Sequence, residues 1–208
     1  RMFCYGFLSV VLVLYLSEVG LTEQQAGLLF TFTLAGDAGI SLWLTTHADG
    51  FGRKKTLIIG ALLMLGAGII FLMTNNIVVL MIAAIIGVIS PSGNEIGPFL
   101  SVEQAGLSQL LPDKLRTKVF AWYNLAGSFS TALGALTGGW LAQWLQSAGW
   151  SAVDAYRYIL TGYAIGGLLI AIIFLQLSPA IEVHSQASET KKVLGLHQSR
   201  NVVFKLSA

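Results

Sequence analysis

One stretch, residues 36–55, limits what this chain can become: G-D-A-G-I-S-L-W-L-T-T-H-A-D-G-F-G-R-K-K. An apolar run carrying a single acid, Asp37, reaches Asp49-Gly50-Phe51-Gly52 and breaks into the cations Arg53-Lys54-Lys55. A second apolar run, T-L-I-I-G-A-L-L-M-L-G-A-G-I-I-F-L-M, starts immediately. Two such runs around a short positive turn read as a pair of membrane helices. The turn also orients them, because short cationic loops stay on the cytoplasmic side.

The rest of the chain agrees with a membrane reading. Its 208 residues are 55% hydrophobic and 11% charged, with a mean hydropathy of +0.73, a balance foreign to soluble domains of this size. A spanning helix needs about 20 mostly apolar residues, so six spans fit, with short loops. The apolar runs fall at residues 2–19, 24–48, 56–74, from Ile77 onward, 119–145 and 156–177. The fourth passes through S-P-S-G-N-E-I-G-P and reads as one kinked helix or as a span followed by a surface helix. A loop is expected at residues 112–118. Past Ser178 the composition turns hydrophilic and the chain reads as a flexible linker. The opening on Arg1 and the closing N-V-V-F-K-L-S-A predict a piece of a longer protein.

Placing residues 53–55 in the cytoplasm divides the cations sharply. Arg1, Lys114, Arg116, Lys118, Lys191, Lys192, Arg200 and Lys205 join the cytoplasmic side, and Arg157 alone lies outside. Six spans with both ends inside satisfy the positive-inside bias, whereas five or seven would scatter these charges. Trp140, Trp144, Trp150 and Tyr156 read as an aromatic belt at the outer surface, and Tyr5 and Tyr15 as interfacial anchors. His47, one turn before the basic run, reads as headgroup-facing.

Several function classes are disfavoured. The single cysteine, Cys4, allows no intrachain disulfide and no metal-ligand cluster. There is no phosphate-binding loop, no His-Glu-x-x-His and no nucleophile with a base at helical spacing, so an enzyme is not expected. No cofactor, no metal and no nucleic-acid partner is indicated.

The segment Asp49-Gly50-Phe51-Gly52-Arg53-Lys54-Lys55 resembles the signature between the second and third helices of the major facilitator superfamily. Asp49, Gly52 and the basic run match it; Thr45 stands where the family has Gly, and Gly50 where it has Arg. In the fifth span, Gly134 to Gly139 resembles the glycine signature of the antiporter branches, with Ala135 in place of Pro. The small-xxx-small spacing of Gly134 and Gly138, with Gly139 beside it, suits close helix packing. The resemblance implies an all-α fold, six transmembrane helices forming one bundle (residues 1–177) of a twelve-helix transporter. It further implies a central cytoplasmic linker over 178–200 and the start of a seventh helix over 201–208.

Candidate functional residues are the intramembrane polar ones. An acid inside a span is costly and by default faces a cavity or a partner, which singles out Asp37 as a proton site or a cation-substrate contact. A structural role, satisfied by hydroxyls or backbone of a neighbouring helix, stands beside it. Asn94 and Glu95, within the Pro- and Gly-rich segment, are expected on the substrate path, since broken helices form transporter sites. The resemblance implies a gating latch between Arg53 and Glu103 or Asp113. The expected function is alternating-access transport of a small solute, proton-coupled, with efflux favoured over uptake. The alternatives are a facilitative uniporter of a metabolite and a non-transporting receptor or scaffold. The expected partners are the small-molecule substrate, the coupling proton, the lipid bilayer and a carboxy-terminal six-helix half. The expected location is the plasma (inner) membrane.

Overall fold

The computed structural model describes residues 1–87, 89, 98–178 and 181–182, the side chains of residues 48, 49 and 98 excepted. Among them are seven α-helices and no strand: α1 (Met2–Glu18), α2 (Glu23–Phe51), α3 (Arg53–Met73), α4 (Ile77–Ile86), α5 (Pro98–Leu110), α6 (Asp113–Ser147) and α7 (Ala152–Leu175). The expected fourth span is divided into α4 and α5. The residues between them, 88 and 90–97, lie outside the described set apart from Ile89.

Short polar signals punctuate the apolar runs. After Gly20, in the left-handed region at φ 95°, Thr22 and Gln25 exchange side-chain-to-backbone hydrogen bonds of 2.9 and 3.3 Å and open α2. Asn76 accepts from the backbone N–H of Val78 and Val79 at the start of α4, and Ser151 from that of Asp154 at the start of α7. Three described segments are long and apolar enough to cross a membrane: Glu23–His47, Arg53–Met73 and Ala152–Leu175. Two shorter apolar helices, Met2–Glu18 and Ile77–Ile86, accompany them. The 35 residues of α6 extend about 50 Å at 1.5 Å per residue, ample for a sixth crossing.

The bundle is built around α1. Tyr5, Leu8, Leu12, Tyr15 and Leu16 on it have no exposure, because α6 and α7 flank the helix and α2 touches it as well. Tyr5 and Tyr15 are therefore core residues rather than interfacial anchors. The Tyr15 hydroxyl satisfies itself by donating to the Phe71 carbonyl at 2.9 Å, and Tyr5 packs on Tyr163 of α7 with ring centroids 6.5 Å apart.

Glycines set the closest approach in the bundle. A Cβ at Gly134 or Gly138 of α6 would come within 2.1 Å of the Phe3 carbonyl oxygen or 2.3 Å of that of Phe7 on α1. Only a bare backbone permits that separation. Gly139 faces a looser region, its nearest neighbour being Val10 Cγ1 at 3.7 Å.

Two expected loops are helical. The second helix does not break at Asp49; it continues to Phe51, and Gly52 alone, at φ 107°, joins it to α3. Only glycine reaches that conformation at little cost, so the basic run forms the first turn of α3 instead of a loop. Likewise α6 starts at Asp113, which puts Lys114, Arg116 and Lys118 on a helix. In the aromatic belt Trp140, Trp144 and Trp150 are exposed, whereas Tyr156 is buried at 6%. Tyr158 takes its place, edge-on to Trp150 at 6.0 Å.

Candidate functional site

The buried face of α2 carries Leu29, Thr33, Asp37 and Leu44, spaced at roughly helical turns so that they share one side. Gly36 lets α4 close over this face: a Cβ there would lie 2.3 Å from Ile85 Cγ2. Asp37 is thereby fully buried, and neither of its carboxylate oxygens has a hydrogen-bond partner among the described residues. The adjacent hydroxyls do not answer it. Thr33 Oγ1 donates to its own helix at the Leu29 carbonyl, 2.7 Å away, and the buried Ser41 hydroxyl is likewise unpaired among the described residues. A lone carboxylate in such a place is strongly disfavoured as an ion unless a proton or a cation joins it.

Around Gly52 two helix ends exchange charge. The three cations opening α3 sit at the positive end of its dipole, an unfavourable placement by itself. The Glu182 carboxylate offsets it by accepting from the backbone N–H of Arg53 at 2.8 Å and of Lys54 at 3.2 Å. In return Lys54 Nζ donates to the carbonyls of Leu175 and Leu177, 2.7 and 2.9 Å away, where α7 ends and its carbonyls lack helical partners. The Arg53 guanidinium, 8% exposed, donates to Gln109 Oε1 at 2.7 Å, tying the same junction to α5.

Glu103 engages a different arginine from the one expected. Its carboxylate pairs with Arg1 and accepts from the Tyr123 hydroxyl at 2.5 Å, while that hydroxyl accepts from the other Arg1 nitrogen. Arg1 also lies over the Phe99 ring, 5.5 Å from its centroid. The triad stands in a cleft of about 580 Å³ whose wall includes Leu100, Asn124 and Ser128. Asp113 pairs locally with Arg116, one turn on, with 85% of its side chain exposed. In this conformation, therefore, neither acid is the partner of Arg53.

Asn94 and Glu95 lie outside the described residues, as does the side chain of Asp49; so do residues 183–208, which hold most of the expected linker and all of the expected seventh-helix start. Sequence reading passed over Arg1, Gln109, Tyr123 and Glu182. The only available signal was an arginine heading an apolar run and an acid shortly after another. Among the described residues, no three His, Cys, Asp or Glu side chains are grouped to hold a metal ion.

These contacts gather Arg1, the α2–α3 junction, the start of α6 and the end of α7 at one end of the bundle. At the other end Arg157 donates to Asn75 in the α3–α4 turn, 2.9 Å away. One cationic end, a buried unpaired acid and antiparallel apolar helices define a multi-pass integral membrane protein of the helical-bundle class.

The chain belongs to the Major Facilitator Superfamily, whose model matches residues 1–206. It is 37% identical over 192 residues to an uncharacterized membrane protein of Saccharomyces cerevisiae, YJR124C, covering 91% of this chain and 43% of that protein. It is 28% identical over 138 residues to the quinolone resistance protein NorA of Staphylococcus aureus, covering 66% of this chain and 34% of NorA. The chain thus spans less than half the length of these relatives.

Proposed function

We propose that this chain is the amino-terminal bundle of a secondary active transporter that moves a small solute by alternating access, coupled to protons and running in the direction of efflux. Residues 178–200 serve as the cytoplasmic linker to a second six-helix half, and residues 201–208 begin its first helix. Both ends of the chain are cytoplasmic, and the plasma membrane is its location. The observation that carries the reading is Asp37, fully buried with both oxygens unpartnered among the described residues. A site of that kind binds a proton or a cationic group readily and releases it when the surroundings become polar. The similarity to a quinolone resistance protein supports efflux, and the collection of cations at one end supports the orientation. Asn94 and Glu95 complete the substrate path, and the junction of Gly52 to Lys55 with Asp49, together with Glu103 and Asp113, gates it.

Because binding sites of this architecture lie between two halves, the test uses the full-length protein. In proteoliposomes, proton movement is followed while candidate solutes are added, for wild type, Asp37→Asn and Glu95→Gln. Solute-dependent flux that disappears in Asp37→Asn, with insertion intact, is the expected result. Proton flux surviving in both variants would move the coupling site to the other half. Absence of proton flux with every solute would favour a uniporter or a non-transporting scaffold.

A further inference from the structure

Beside the α2–α3 junction lies a groove that the transport reading leaves unused. Trp43, Leu44, Phe51 and Ile59 line it, and it encloses about 410 Å³, within the roughly 300–1,000 Å³ of small-ligand pockets. Its aromatic walls are open, Trp43 being 62% and Phe51 53% exposed. Both flanking helices are long and apolar enough to span a membrane, so the groove lies where the spans meet the basic end of the bundle.

The groove also carries the hydroxyl-bearing Thr46 and Thr56, and the basic run begins beside it. Of the three consecutive cations, Arg53 is engaged with Gln109 and Lys54 with the end of α7. Lys55 is exposed and has no carboxylate partner among the described residues; its ammonium sits over the Phe51 ring, 5.8 Å from the centroid. His47 also lines the groove. Its Nδ1–H donates to the Trp43 carbonyl at 2.8 Å, which holds the ring against Trp43 with centroids 5.2 Å apart. The ring therefore serves as part of the aromatic wall. An ammonium at the rim of an aromatic groove beside two apolar helices matches one ligand chemistry: an anionic head joined to a hydrocarbon tail.

We infer that the α2–α3 groove binds an acidic phospholipid from the leaflet on the basic side, its phosphate at Lys55 and one acyl chain against Trp43, Leu44 and Phe51. Charge complementarity selects the head, since a lysine near the surface attracts anionic lipid. Burial of methylenes against the aromatic walls holds the tail. A free phosphate would gain only the first of these. The inference needs α2 and α3 to span the membrane and does not need the protein to transport anything.

The test is native mass spectrometry of the full-length protein in mild detergent, titrated with phosphatidylglycerol or with phosphatidylcholine of the same chains. Wild type is expected to retain phosphatidylglycerol preferentially, and Lys55→Gln to weaken that binding by about fivefold, while Lys118→Gln on α6 leaves it unchanged. Gly50 also lines the groove, and a Cβ there meets nothing within 4 Å. Gly50→Leu should therefore fill the space and displace the lipid although Lys55 remains. Equal retention of the two lipids by wild type, or no effect of Lys55→Gln, would overturn the inference. So would loss in Lys55→Gln with full retention in Gly50→Leu, which would mean a headgroup on an empty groove. Competition by soluble glycerophosphate as effective as the lipid would make the ligand a water-soluble anion, and no lipid retained by wild type would assign the groove to the remainder of the protein.

Discussion

The carboxylate of Glu182 accepts the backbone N–H of Arg53 at 2.8 Å across 129 residues of sequence, so a residue beyond the end of α7 caps the helix that the basic run begins. The arrangement is reciprocal, since Lys54 serves the carbonyl end of α7. The junction is a clamp between two helix ends, with Gly52 as its single hinge residue.

Removing either side of that clamp should be felt. Glu182→Ala is expected to lower the stability of the detergent-solubilised full-length protein by about 1 kcal/mol, the usual loss for a helix cap. Lys54→Met should cost a similar amount, and the double variant less than the sum, because both act on one junction. Thermal unfolding of the four proteins checks this.

Asp37→Asn should separate stability from function. Burying an unpartnered carboxylate costs more than burying a neutral amide, so the variant is expected to gain about 1–2 kcal/mol of stability while losing gradient-driven transport. Comparison of unfolding temperature with flux in the same preparation checks it. A variant both less stable and inactive would point to a structural acid.

The adjacent glycines Gly138 and Gly139 should respond differently. A methyl at Gly138 meets the Phe7 carbonyl, while one at Gly139 meets only Val10 Cγ1 at van der Waals distance. Gly138→Ala is expected to cost about 1–3 kcal/mol by forcing α1 and α6 apart, and Gly139→Ala almost nothing. Folded yield and unfolding temperature report the contrast.

Glu103 and Asp113 should also differ. Glu103 is 17% exposed and joined to Arg1 and Tyr123, so Glu103→Gln removes a charge that faces a largely enclosed guanidinium. A loss of about 2–4 kcal/mol is expected. Asp113 is exposed beside Arg116, and Asp113→Asn should stay within about 0.5 kcal/mol. Both are read by thermal unfolding.

Much of this architecture was legible in the chain because bilayer insertion depends on local composition. Apolar runs of the right length and the crowding of cations on alternate turns are properties of neighbouring residues, and so is the presence of an acid within α2. The continuation of α2 to Phe51 was not legible in that way, since Gly50 and Gly52 look equally able to end a helix and only the second adopts a positive φ.

Pairing belonged to the tertiary structure. Nothing near Glu103 in sequence indicates Arg1, 102 residues away, in place of Arg53, and nothing near Glu182 indicates the start of α3. Tyr156 and Tyr158 have the same composition-level signal, yet the rotation of α7 buries the first and exposes the second. Hydrophobicity determines that a helix enters the membrane; the rotation and closeness of its neighbours, set here by glycine contacts at van der Waals range, determine which of its side chains meet.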